Sequence, residues 1–169
     1  MAKPLASGGV EPRRRRPPFR DYGIPEDEEG MLDWRWASER LAASRNYWVA
    51  TTRPDGRPHA MPVWGVWLDG RFFFGTGRSS AKARNLEANP SAVVHLESGD
   101  EVVVLEGAAE EVVDDELAER VNREYEPKYD WRAEPGDPSP LFVVTPRRAY
   151  AWAEREYTRS ATQFDFAPA

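Results

Sequence analysis

Cysteine is absent from this 169-residue chain, and histidine occurs only twice, as His59 and His95. No disulfide framework or thiolate metal site can be built, and a transition-metal centre would have few imidazoles to use. A reducing, cytoplasmic setting fits that composition. No run of about 18 apolar residues occurs, so no segment reads as a membrane span, and the N-terminus lacks the apolar stretch of a signal peptide. Nucleophile motifs are equally scarce. Neither a Gly-x-Ser-x-Gly elbow nor a Gly-x-x-x-x-Gly-Lys-Ser/Thr phosphate loop is present.

Basic charge is thin outside the first 20 residues. That segment holds six of the 23 Lys and Arg residues, while the chain as a whole carries a net charge of -6. An acidic body argues against groove-tracking nucleic-acid binding, which needs a basic stripe. The Arg- and Pro-rich residues 1–28 read as a solvated, disordered tail, and residues 29–169 as one folded domain.

Within that domain, "MLDWRWASERLAA" (31–43) predicts a helix capped by Asp33. Strands are expected at 46–52, 57–68, 72–76, 92–97, 101–112, 141–146 and 149–154, where β-branched and aromatic residues concentrate. "RPDGRP" and "DGR" supply the turns on either side of the 57–68 strand. Further helices are expected at 77–90 and 115–129, and the C-terminal "YTRSATQFDFAPA" shows little pattern. Strands joined mostly by hairpins point to a mainly β, antiparallel barrel of about six strands with flanking helices.

Two features could carry chemistry. The first is "FFFGTGRSSAKARNL", where a helix start attracts anions through its free N–H groups and macrodipole. Arg78, Lys82 and Arg84 crowd that start, where cations are mildly unfavourable, and a bound phosphate would resolve the conflict. Thr76, Ser79 and Ser80 offer hydroxyls to it; the alternative is an ordinary capped helix. The second feature is "RPHAMPVW". Proline cannot donate to a ladder, and Pro58, Ala60 and Pro62 share one strand edge, while His59, Met61 and Val63 share the other. The proline edge keeps a single donor, the Ala60 N–H. It either protects the sheet from edge pairing or receives a planar heterocycle, and the 72–76 strand is a natural partner for the opposite edge.

The run from "RNYWVATTRPDGRPHAMPVW" through "TGRSSAKARNLEANPSAVVHLE" to "VVVLEGAAEEV" resembles the pyridoxamine 5'-phosphate oxidase-like family of split β-barrel flavoproteins. It is most similar to the branch that includes oxidoreductases using the deazaflavin coenzyme F-420. The resemblance implies a split barrel, a homodimer with cofactor sites at the subunit interface, and FMN or F-420 as cofactor. The implied activity is hydride transfer to or from a small unsaturated substrate. It implies that Pro58, His59, Ala60, Met61, Pro62, Val63 and Trp64 run beside the ring system. Thr76, Ser80, Lys82 and Asn85 would hold the phosphate and ribityl region, with Arg78 and Arg84 as helpers. No side chain is assigned as catalytic, although His59 or Tyr157 could supply a proton. Trp64, Trp67 and Trp152 are expected either in the core or on the cofactor and dimer surface. Where relatives end in something like "SATRWRF", this chain reads "SATQFDF" (160–166), losing two positive charges and gaining one negative. Arg147, Arg148, Arg155 and Arg159 could compensate. A non-catalytic flavin carrier or sensor, and a haem-binding member of the same fold, are the alternative readings.

Overall fold

In the computed structural model, which describes residues 11–134 and 136–167, Asp33 caps the first helix by accepting a hydrogen bond from the Trp36 amide at 2.8 Å. That helix, α1 (Trp34–Ala43), buries Ala37 and Leu41. The remaining elements in chain order are β1 (Arg13–Arg15, ahead of α1), β2 (Asn46–Thr52), β3 (Pro58–Trp64), β4 (Val66–Leu68), β5 (Arg71–Gly75), α2 (Ala81–Ala88), β6 (Ser91–Leu96), β7 (Glu101–Glu111), α3 (Asp115–Tyr129), β8 (Leu141–Ala153), α4 (Tyr157–Ser160) and β9 (Thr162–Asp165). The fold is mainly β and antiparallel, as expected, with nine strands among the described residues instead of about six.

The strands run in the order β1-β9-β8-β7-β6-β2-β3, and the β4–β5 hairpin joins through β5 to β8. Strand β8 is shared. On the side away from β7, its residues 141–144 pair with β5 and its residues 148–151 pair with β9. The sheet divides there, and residues of β5 and β8 contribute to two apolar clusters. The larger is built around Leu41, Tyr47, Phe72, Phe74, Val144 and Phe164. The smaller lies under α3 and contains Phe73, Val121, Tyr125 and Tyr129.

Three expected boundaries are corrected. The strand foreseen across 57–68 breaks at Gly65, where only glycine fits: a Cβ there would lie 2.8 Å from the Phe73 carbonyl oxygen and nearer still to the Phe72 ring. Its first half, β3, pairs with β2, while only β4 pairs with the 72–76 strand. The two strands foreseen at 141–146 and 149–154 are one, since a bulge absorbs the break. The tail foreseen over 1–28 is partly ordered: Arg13–Arg15 pairs antiparallel with β9, and residues 1–10 lie outside the described residues. Arg16 anchors the segment by donating to the carbonyls of Asp27, Glu29 and Arg159 at 2.6–2.8 Å.

The altered C-terminus contributes to this anchorage. Asp165 accepts hydrogen bonds from Arg15 at 2.7 Å, Gln163 at 2.7 Å and Arg148 at 3.1 Å. Burial pushes the Asp165 carboxyl up, but those three donors outweigh it and hold the group down at about 2. Its contribution to stability is therefore present above the unfolded carboxyl value of 3.8 and is lost as the pH falls through about 2. The stability gap between the parent and Asp165→Asn, measured by denaturant melts, should be largest near neutrality and close between pH 4 and 2.

Candidate functional site

The turn between β2 and β3 decides which way the proline edge faces. The Arg53 amide donates to the Arg57 carbonyl at 2.9 Å, so odd-numbered residues of β3 turn their backbone groups to β2. Pro58, Ala60 and Pro62 consequently turn theirs outward, and β3 ends the strand order. The open side holds the Ala60 N–H and three carbonyls. Farther along, the edge is covered: Tyr125 Oη donates to the Trp64 carbonyl at 3.1 Å, and Tyr129 Oη contacts the Gly65 N–H at 2.9 Å and its carbonyl at 2.7 Å. Lys128 Nζ adds a bond to the same carbonyl at 3.0 Å, and burial followed by the nearby Arg45 draws its amine down to about 8.

Side chains of β3 alternate against this edge. His59 and Val63 are buried, whereas Pro58, Ala60, Met61, Pro62 and Trp64 are exposed. Trp64 stacks on Tyr129 with ring centroids 4.8 Å apart, which fixes one wall. Trp67 donates to Ser38 at 3.0 Å and packs against the core. Trp152 meets Phe19 and Tyr157 edge-on at the far end of the sheet.

Next to the edge, Lys82 and Arg53 lie near a buried histidine. His59 is 8% exposed, and its Nδ1 has no hydrogen-bond partner among the described residues. Burial, then the charges of Arg53 and Lys82, push its imidazole below 6.5. Lys82 is half-buried, and burial also lowers its amine. Lys82 lies in the first turn of α2, whose cap Ser80 accepts from the Ala83 amide at 3.1 Å and shares a 3.0 Å hydrogen bond with Thr76. A helix start, a lysine, an arginine and an orphaned imidazole thus converge beside an unpaired strand edge. An anionic group of phosphate size fits that donor set.

The expected site residues divide accordingly. Pro58, His59, Ala60, Pro62, Thr76, Ser80 and Lys82 belong to this neighbourhood. Asn85 is turned inward and donates to Thr51 Oγ1 at 2.9 Å, tying α2 to β2. Arg78 is held by Glu111 at 2.6 Å and by the Pro138 carbonyl. Arg84 folds back on the Ser79 carbonyl. Arg53 was not foreseen. Its signal was its place directly before the "PDG" turn, which sets it opposite the start of β3.

An antiparallel sheet divided at one shared strand, with cationic side chains beside an open edge, defines a small divided β domain. The chain belongs to the pyridoxamine 5'-phosphate oxidase family, whose sequence profile matches residues 36–153. Among solved structures it is similar to the conserved hypothetical protein Rv2991 of Mycobacterium tuberculosis, at 26% identity and a TM-score of 0.67, covering 80% of this chain and 89% of that one. It is similar to an F-420 reductase at 26% identity and a TM-score of 0.53, over 66% of this chain and 94% of the other. A FAD-binding protein from Mesorhizobium loti shares the fold at 19% identity and a TM-score of 0.59, over 79% and 95% of the two chains. No curated protein matches the chain. Among the described residues no helix is long and apolar enough to cross a membrane.

Proposed function

We propose that the chain is an oxidoreductase that binds FMN or F-420 at this site and transfers hydride between the cofactor and a small unsaturated substrate. The observation that carries the reading is the orphaned His59 imidazole, with Lys82 and Arg53 near it, beside the open Pro58–Pro62 edge. Lys82, Arg53, Ser80 and the α2 start would hold the cofactor phosphate. The outward carbonyls of β3 and the Ala60 N–H would meet the ring's donors and acceptors, and the stacked Trp64 would border it. Hydride chemistry is supplied by the cofactor when bound; the chain positions the ring and keeps its phosphate in place. A second copy would cover the exposed Trp48 and Trp64, which are 36% and 43% exposed, and sedimentation velocity would read the homodimer directly.

The test is an absorbance titration with FMN and with F-420, followed by bleaching or recovery of the bound spectrum with enone and quinone acceptors. Saturable binding with acceptor-dependent recovery supports the oxidoreductase. Binding without turnover points to a carrier, and no binding of either cofactor defeats the reading.

His59 supplies an independent check. With its pKa below 6.5, the folded state holds fewer protons than the unfolded one, so this group makes stability rise with pH up to about 6.5. FMN should reverse the shift, since a phosphate beside the ring favours its charged form. The imidazole carbon resonances, followed against pH by NMR, should titrate at higher pH with FMN than without. An unchanged midpoint in saturated protein would place the phosphate elsewhere.

A further inference from the structure

The strand registers line up residues far apart in sequence. From β3 to β9, Ala60, Ala50, Val93, Glu106, Arg148 and Asp165 are successive cross-strand partners. Directly opposed residues share a face of the sheet, so the row starts as a low floor of small side chains and rises into charged ones. A groove of about 500 Å³ follows it, with Pro58 and Thr52 at one end and Arg147 and Arg148 at the other. Four strand spacings separate the ends, roughly 19 Å.

The two arginines lie together because the backbone departs from a regular strand. Adjacent strand residues normally point to opposite faces, yet both Arg147 and Arg148 line the groove. Glu106 opposes Arg148 and Gly107 opposes Pro146, which leaves Arg147 as the extra residue of a β-bulge. Bulges re-aim side chains in this way. Gly107 permits the close approach, since a Cβ there would lie 2.9 Å from the Thr145 carbonyl carbon. Arg148 is further fixed by its Nε bond to Asp165 at 3.1 Å, a carboxylate that Arg15 and Gln163 already hold. Against the pair stand the lining carboxylate of Glu106 and that of Asp165, which is ion-paired with Arg148 Nε and leaves the outer nitrogens of that guanidinium for a ligand.

We infer that the Arg147–Arg148 end of this groove is a second anion site, separate from the Lys82 cluster, which takes the carboxylate or phosphate group of a ligand lying across the row. Two guanidinium groups on one face suit a multiply charged, oxygen-rich group, and the floor of Ala50, Val93 and Pro58 accepts its apolar part. The inference does not depend on which cofactor, if any, occupies the β3 edge.

The experiment uses the full chain, labelled with ¹⁵N and titrated at fixed ionic strength with inorganic pyrophosphate, with citrate, and with sodium chloride as control. The amides of Val93, Gly107 and Arg148 should shift and saturate with pyrophosphate or citrate, and the tighter of the two identifies phosphate or carboxylate as the preferred group. Arg147→Gln combined with Arg148→Gln should weaken that binding about tenfold or more, while Arg155→Gln leaves it unchanged. Glu106→Gln should tighten it, a gain that damage to folding would not produce. Linear shifts, equal saturation by chloride, or undiminished binding in the double variant would mean an adventitious ion only and would overturn the site.

Discussion

Gly65→Ala is expected to cost about 3 kcal/mol and to lower the melting temperature by roughly 6–12 °C. The added methyl would meet the Phe72 ring and, at 2.8 Å, the Phe73 carbonyl oxygen. Neither can retreat easily: Phe72 and Phe73 are fully buried, one in each of the two apolar clusters. The Gly65 N–H and carbonyl are also engaged by Tyr129 and Lys128, so any backbone shift would strain those bonds as well. Gly56→Ala separates crowding from backbone strain. Gly56 has φ of +83° with open space around it, and its replacement should cost only about 1–2 kcal/mol, from the left-handed conformation alone. Thermal melts of the two variants would read the difference, and equal losses would remove the steric explanation.

Lys82→Gln should act in the opposite sense on stability and on binding. In the free protein Lys82 is half-buried and its charge lies beside His59 and Arg53. Removing the charge ends the cost of half-burying it, so the melting temperature should hold or rise. Affinity for FMN should nevertheless fall about 10- to 100-fold, the loss expected when a charge-assisted bond to phosphate disappears. Riboflavin, which has the same ring and no phosphate, serves as the comparison and should bind the variant and the parent alike. A parallel loss for riboflavin would assign Lys82 to the ring or to the fold.

Local signals carried much of this architecture. Asp33 marked α1, "DGR" marked the β4–β5 turn, where Asp69 and Gly70 both have positive φ, and the parity of Pro58, Ala60 and Pro62 identified the outward edge before any neighbour was known. What depended on distant partners was not legible. Arg13–Arg15 has the composition of a solvated tail, and it becomes a strand only because β9, 150 residues later, offers an edge and Asp165 a carboxylate. The choice of β2 over the 72–76 strand as partner for β3 follows from the break at Gly65, where a ring packs against the backbone in three dimensions. Arg78, Arg84 and Asn85 have the right chemistry for an anion, and their contacts with Glu111, the Ser79 carbonyl and Thr51 were not legible in the sequence.

The placement of β1 and β3 at opposite ends of the strand order has a bearing on solubility. The strands at the two ends of this path each present a rim that could recruit another molecule's strand and grow into a fibre. Here one rim is poor in donors because of Pro58 and Pro62, and the other is a three-residue strip of arginines that would repel its own copy. One rim refuses growth by missing hydrogen bonds and the other by charge. Only the arginine rim should weaken in concentrated salt, where screening shortens the reach of the repulsion.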